Sequence, residues 1–435
     1  MQLPLTDPDT LFEALLQDLP PETAHRAREF KAFARAKKVK TPAHLLRLVF
    51  LYCGLDKPLR EVAGTFTALY ESITDQAVAE RLRACGPWVQ AMLRRMLPLS
   101  RMGTLPAGFR FVVIDGSSIQ APGATGTDHR LHIAMDLLSL QFVEVLVSDV
   151  HTGETLKHFT FAPGDVAVAD RGYAQCQGMS AAMQQGADLI VRLNPLSVVL
   201  SDATGAPLDL CTALKRQPME TLRTLVVVLR STGSQHEVRG WVHAYRLNAE
   251  QANRARQKCR QGHKKGTPKA ESLLLAGWVL VFTTLAPAVL SAQTIMALYR
   301  CRWQVEIAIK RWKSVLDVDA LRAKANSPLA KVWLHGKVLY ALMLERRMRR
   351  QLGDSWGRLD HERVRTWWRV WGMLKDEIAP MITGALFWKE EAWASCLKVL
   401  GERPRRRKLQ QLPPAAVAIL YRRDASKQED ELIAA

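Results

Sequence analysis

No two cysteines in this chain are spaced C-x-x-C, and no other cluster has the spacing of a metal-ligand set. The seven cysteines, at 53, 85, 176, 211, 259, 301 and 396, are odd in number and scattered. That excludes a disulfide framework and suits reduced thiols in a cytoplasm. Acidic residues are few: 42 Asp and Glu stand against 61 Lys and Arg, a formal charge of +19. A field of that sign favours polyanions, nucleic acid first and an anionic membrane second. The start, MQLPLTDPDT, has neither the basic beginning nor the apolar block of a signal peptide, so the expectation is a cytoplasmic protein. Internal repeats are missing as well. Residues 272–299 hold no charge, longer than the ~20 apolar residues of a membrane span. Thr283, Thr284, Pro287, Ser291 and Gln293 interrupt them, so they read as a buried strand from Trp278, a turn at Ala286-Pro287 and a helix capped near Ser291. No membrane partner is expected.

What is present is a globular composition, 48% hydrophobic and 24% charged, in 435 residues. That length exceeds what one core comfortably supports, so two or more lobes are expected. Residues 1–105 read as helical, with apolar spacings of three and four over 11–16, 22–36, 41–53, 59–70 and 75–96. A basic stripe runs from Arg26 to Lys40, and 59–83 reads either as a helix-turn-helix facing DNA or as an ordinary bundle. From 106 to 195 the texture changes to short apolar runs. Strands are expected at 109–114, 131–138, 142–150, 165–169 and 187–193, with a helix over 176–185, giving a mixed sheet with helices on its faces. Residues 196–272 read as a β-rich insertion containing a hairpin of 221–230 and 236–247, followed by a mobile basic loop over 251–270. The main lobe resumes over 273–326. Residues 327–435 are expected to be helical, with basic clusters at 346–350 and 403–408, tryptophans at 367, 368 and 371, and a frayed acidic tail.

Residues 299–313, YRCRWQVEIAIKRWK, contain no Pro or Gly and read as one helix. At roughly 100° per residue, Tyr299, Arg302, Glu306 and Lys313 share one side, beside an apolar seam of Leu298, Val305, Ile309, Trp312 and Leu316. Glu306 is the only acid in the stretch, and cations flank it. Two aspartates follow strand candidates: Asp115 after FRFVVI and Asp170 after DVAVA. Each alone is a common turn former. Brought together with Glu306 they would repel, so convergence demands a cation, and hard oxygens select Mg²⁺ or Mn²⁺. Two such ions about 4 Å apart suit phosphodiester chemistry.

On these residues the chain resembles the DDE transposases of bacterial insertion sequences, in the branch called the insertion sequence 4 family. Tyr299, Arg302, Glu306 and Lys313 match that branch's signature of Tyr, two residues, Arg, three residues, Glu, six residues, Lys. Ile114-Asp115-Gly116-Ser117 and Ala169-Asp170-Arg171-Gly172-Tyr173 match its two aspartate motifs, and 126–132 is similar to its stretch after the first Asp. The resemblance implies a ribonuclease-H-like α/β core interrupted by the β-rich insertion and flanked by helical regions. It implies that Asp115, Asp170 and Glu306 hold two Mg²⁺ ions. Tyr299, Arg302, Lys313 and Arg171 would contact DNA. Trp278 resembles a tryptophan that stacks a flipped base in members cutting through a hairpin, and Trp303 a second aromatic beside it; plain core packing fits Trp278 as well. The implied function is a transposase that binds inverted repeats in double-stranded DNA as a synaptic homodimer, then cleaves and joins strands. A structure-specific nuclease and a non-catalytic DNA-binding remnant are the alternatives.

Overall fold

Six helices open the chain: α1 (Pro8–Leu16), α2 (Thr23–Glu29), α3 (Pro42–Val49), α4 (Leu59–Leu69), α5 (Asp75–Arg83) and α6 (Gly86–Met96). Asp7, Thr41 and Thr74 cap α1, α3 and α5 by accepting from backbone N–H groups two or three residues on. Three expected helices are shorter than their apolar spacing. The helix over 22–36 stops at Glu29, because the chain turns through Lys31 at φ 55°. The one over 75–96 breaks at Ala84-Cys85, because Pro87 just beyond offers no N–H to continue the ladder and instead sits in the first turn of α6. The one over 41–53 passes into a π-helical turn at Phe50–Gly54.

This computed structural model describes residues 7–97, 108–194, 198–231, 236–262, 267–352 and 367–385, together with positions 395 and 398. The basic cluster at 403–408 and the acidic tail lie outside the described residues. After α6 come β1 (Arg110–Ile119), β2 (His129–Asp136), β3 (Phe142–Asp149), β4 (Asp165–Ala169), α7 (Cys176–Gln184) and β5 (Asp188–Arg192). The insertion holds β6 (Val199–Ser201), α8 (Leu210–Leu214), β7 (Leu222–Arg230), β8 (Glu237–Arg246), α9 (Ala249–Gln261) and α10 (Ala270–Ala276). Then follow β9 (Trp278–Thr283), α11 (Ala292–Cys301), α12 (Trp303–Leu316), α13 (Pro328–Leu352) and α14 (Trp367–Thr383).

All nine strands form one sheet in the order β3-β2-β1-β4-β5-β9-β8-β7-β6. β4 runs parallel to β1 and to β5, and the other pairs are antiparallel. Both faces of the central strands are covered, which is why they read as continuous apolar runs. On β1, Phe111 and Val113 join the core shared with the helical ends, while Val112 and Ile114 join a second core with α7 on the opposite face. The predicted hairpin is present as β7 paired with β8. The insertion nevertheless carries three helices beside its three strands, and much of the segment expected as a mobile basic loop is α9. Asn248 caps that helix, and alanines at 249, 252 and 255 favour it over a loop.

The helical ends pack together. Arg47 on α3 is fully buried and donates to the carbonyls of Pro8, Met381 and Ile382, fastening α1 and α14 to it. Lys337 on α13 is buried against Asp56 and the Gly54 carbonyl. The arginines at 346, 347, 349 and 350 bond inward to Asp18, Glu377, Glu345 and the 139–140 carbonyls, so this basic cluster ties elements together. Ser291 caps α11 as expected, and no helix among the described residues is long and apolar enough to cross a membrane.

The seam on α12 docks it onto the sheet: Val305, Ile309, Trp312 and Leu316 are buried, and Trp312 packs on Phe142 of β3 with ring centroids 4.4 Å apart. Trp312→Ala is therefore expected to cost about 3–5 kcal/mol. A thermal or urea melt of the variant checks this, and an unchanged midpoint would refute the docking role.

Candidate active site

Asp115 does not end its strand as its motif suggested. β1 continues through it, and Asp115 pairs with Ile133 on β2. What ends nearby is the pairing with the other neighbour: β1 and β4 are in register only from Arg110–Asp165 to Val113–Val168. Asp115 thus projects where β1 outruns β4, and Asp170 follows the last residue of β4. Each aspartate fixes its own backbone. Asp115 accepts from the Gly116 N–H at 2.9 Å, and Asp170 from the Arg171 N–H at 2.7 Å, capping a short 3₁₀ turn.

The helix expected over 299–313 is two helices, with Arg302 at the junction. Its N–H and carbonyl close i→i−3 bonds with Tyr299 and Val305, so the α-helical ladder is interrupted there without Pro or Gly. Tyr299, on α11, and Glu306, in the first turn of α12, both border Arg302. Tyr299 donates its hydroxyl to Asp170 at 3.4 Å. Arg302 is buried; its guanidinium bonds Glu306 and lies 3.6 Å from Asp115 and 3.8 Å from Asp170. The three carboxylates therefore converge, and the cation between them is Arg302.

This arrangement shapes the charges. Burial raises the Asp115 carboxyl to about 6; the Gly116 N–H and Arg302 oppose that shift, while Glu306 and Asp170 add to it. Burial works against the charge on Arg302, but Tyr299, Asp170, Glu306 and Asp115 outweigh it and hold its pKa above the ordinary value. Burial and Asp170 also raise Tyr299, keeping the phenol protonated. Two buried donors of Arg302, Nε and Nη1, have no hydrogen-bond partner, so the guanidinium can still accept another oxygen-bearing group.

The donor set suits a hard divalent cation, since three carboxylates from three elements face one point. Among the described residues, no three His, Cys, Asp or Glu side chains are close enough to share an ion. The Arg302 guanidinium stands among the three carboxylates.

The remaining expected residues lie apart from that centre. Lys313 is at the last turn of α12 and pairs with Asp319 at 3.5 Å. Trp303 begins α12 half exposed, with the Lys310 ammonium 4.1 Å above its ring. Trp278 is nearly buried in the core on the α7 side, yet lines a cleft together with Arg171 and Asp170. Sequence reasoning missed Glu154. It faces Arg130 at 3.8 Å, and its carboxylate lies against both aspartate motifs. A Cβ built on Gly116 would stand 2.9 Å from one of its oxygens, and one on Gly172 only 2.0 Å from the other. The glycine in each motif was the available signal, because it marks a close approach.

Fold and site together define a transposase-type catalytic domain. The family described as "Transposase DDE domain" matches residues 106–342, more than half of the chain. The chain belongs to that family. It is 30% identical over 335 residues to a protein of Escherichia coli (strain K12) named for insertion sequence element IS186A as its transposase InsL, covering 75% of this chain and 90% of that relative. It is equally similar, over 336 residues and the same shares, to the Escherichia coli transposase for insertion sequence element IS421. The transposase for insertion sequence element IS231F of Bacillus thuringiensis subsp. israelensis is 26% identical over 196 residues, 41% of each chain.

The raised Asp115 carboxyl gives a testable sign. The folded state holds its proton to about 6, against 3.8 for a free side chain, so its favourable contribution is complete below 3.8 and lost as pH rises through about 6. Asp115→Asn should therefore stabilise the metal-free protein at pH 7–8 by up to ~3 kcal/mol and give no gain near pH 4. Melting midpoints across that range check it; a gain independent of pH would contradict it.

Proposed function

We propose that this chain is the transposase of an insertion sequence, binding the inverted repeats that end its element and catalysing DNA strand cleavage and strand transfer. The observation that carries this is the convergence of Asp115, Asp170 and Glu306 from β1, the end of β4 and α12, in a chain of the DDE transposase family. The sheet supports it: the order β3-β2-β1-β4-β5, with β4 and β5 parallel to β1, is that expected of a ribonuclease-H-like core. So does the intact series Tyr299, Arg302, Glu306, Lys313, the signature of the insertion sequence 4 branch.

In this reading the three carboxylates bind two Mg²⁺ ions, with Mn²⁺ as a substitute. Bound there, the metal supplies an activated water or 3′-hydroxyl and neutralises the leaving oxygen of the phosphodiester. The chain's own residues do the rest. With metal held by the carboxylates, Arg302 would be free to direct Nε and Nη1, which have no hydrogen-bond partner here, to a phosphate, for which a guanidinium is well matched. Tyr299 and Lys313 hold neighbouring phosphates. Trp278 and Trp303 receive an unstacked base if the ends pass through a hairpin. Two copies act together in a synaptic homodimer on double-stranded DNA, in the cytoplasm.

Glu306→Gln tests the assignment. The variant should still bind an end-bearing duplex but lose Mg²⁺-dependent nicking by at least ~100-fold, the upper end of the loss from outer-shell ligand partners. Nicking at the wild-type rate would refute it.

A further inference from the structure

The Glu154 carboxylate fills the side-chain space of two glycines, Gly116 and Gly172, which follow Asp115 and Asp170 by one residue and by two. It therefore sits between the motif on β1 and the motif after β4. The connection from β3 to β4 is built to keep it there. The Gln175 side-chain amide donates to the Glu154 carbonyl at 3.0 Å and to the Gly172 carbonyl at 3.2 Å, tying the two backbones together. Leu156, two residues on, is fully buried, and its backbone nitrogen lies 3.1 Å from where a Cβ on Gly178 of α7 would stand. Between them, the Thr155 hydroxyl accepts from the Lys157 N–H and opens a single 3₁₀ turn.

The charge on this side chain calls for a reason. A neutral group of the same length would fill the gap and avoid repulsion from Asp115 and Asp170. Arg130 stands 3.8 Å away, but the two side chains are 30% and 34% exposed, and such a pair offsets little. A second group at this spot is also unsatisfied. The Tyr173 hydroxyl, buried and without a hydrogen-bond partner, lies 3.3 Å from the same Cβ position on Gly116 that Glu154 approaches. A buried hydroxyl beside carboxylates is suited to a water. Among the described residues no three carboxylates are close enough to share an ion, so Glu154 is not itself a ligand in this arrangement. Mg²⁺ keeps several of its waters when protein carboxylates bind it, and those waters need acceptors.

We propose that Glu154 is a positioning residue of the metal centre, a fourth carboxylate that accepts from the waters of the bound divalent cation and raises the affinity of the centre for it. The proposal rests on the transposase reading for the presence of that cation. Arg130 then tunes the same charge from behind, so removing Arg130 strengthens cation binding and removing the charge of Glu154 weakens it. A residue that only filled space would give neither sign.

The probe is Mn²⁺, titrated into DNA-free protein and followed by electron paramagnetic resonance. Wild type is compared with Glu154→Gln, Arg130→Gln and Glu250→Gln, the last removing an exposed carboxylate of α9. Glu154→Gln keeps the shape and loses the charge, so it should bind Mn²⁺ ~10-fold or more weakly, the range lost with outer-shell partners of a metal. Arg130→Gln should bind it ~2- to 5-fold more tightly, the scale of one partly exposed ion pair. Glu250→Gln should stay within ~2-fold of wild type, because solvent screens its charge. In nicking of the end duplex, Glu154→Gln should raise the Mg²⁺ concentration for half-maximal rate by its own factor and leave the maximal rate within ~3-fold. Melting midpoints of the metal-free proteins show that each variant folds; should Glu154→Gln not fold, the sign of the Arg130→Gln effect decides. Mn²⁺ affinity unchanged in Glu154→Gln, an equal loss in Glu250→Gln, or weaker binding by Arg130→Gln overturns the proposal. Wild type that binds Mn²⁺ but does not nick the end duplex overturns the transposase reading instead, and leaves the titrations to decide Glu154. Wild type that binds no Mn²⁺ overturns both.

Discussion

Three carboxylates within reach of one point cannot all stay ionised in a half-buried site unless positive charge stands among them. In this chain Arg302 supplies that charge, and the surrounding structure is arranged to deliver it. Two unit charges 4 Å apart interact by about 4 kcal/mol at an effective dielectric of 20, so each uncompensated carboxylate pair would cost several kcal/mol. The guanidinium reduces that repulsion for all three partners at once. It stands at the junction between α11 and α12, beside Asp115 of β1, Asp170 after β4 and Glu306 of α12. The apolar seam of α12 holds that helix against the sheet.

The sheet decides where the aspartates stand. β1 and β4 are parallel neighbours, so residues beyond the end of their register project from the same edge. β1 continues past β4 because β2 still pairs with it, and this gives Asp115 a rigid base without closing the side toward Asp170. Glu154 fits against both motifs from the connection between β3 and β4. Only glycine at 116 and 172 leaves room for its carboxylate. The site is therefore carboxylate-rich beyond the three residues whose motifs announce them, and Arg130 offsets the fourth.

Much of this was legible from the chain itself. Buried strands of the core appear as apolar runs, and β4 coincides with the segment DVAVA. The Ser291 cap and the seam of α12 also follow from residue types and spacing. What could not be read is where local signals are silent. Cys301-Arg302-Trp303 contains no helix breaker, so nothing in the sequence marks the interruption at Arg302. Asp-Gly reads as a turn, yet at 115–116 pairing with β2 keeps it extended. In 251–270 seven cations and no acid read as a mobile loop, whereas the alanine spacing and the Asn248 cap carry the signal for α9. Glu154 acts through contacts distant in sequence, and no motif surrounds it.

The position of the insertion explains how a segment between 196 and 272 comes to flank the site. β5 precedes it, β9 follows it, and these two strands are adjacent in the sheet. The insertion therefore leaves and rejoins the sheet at neighbouring positions. Its own strands extend the sheet outward from β9 through β8, so their hydrogen bonds continue the core's ladder. Arg254 and Lys258 on α9 line one cleft with Asp170 and Arg171. The same continuity of the sheet sets a basic wall beside an acidic centre.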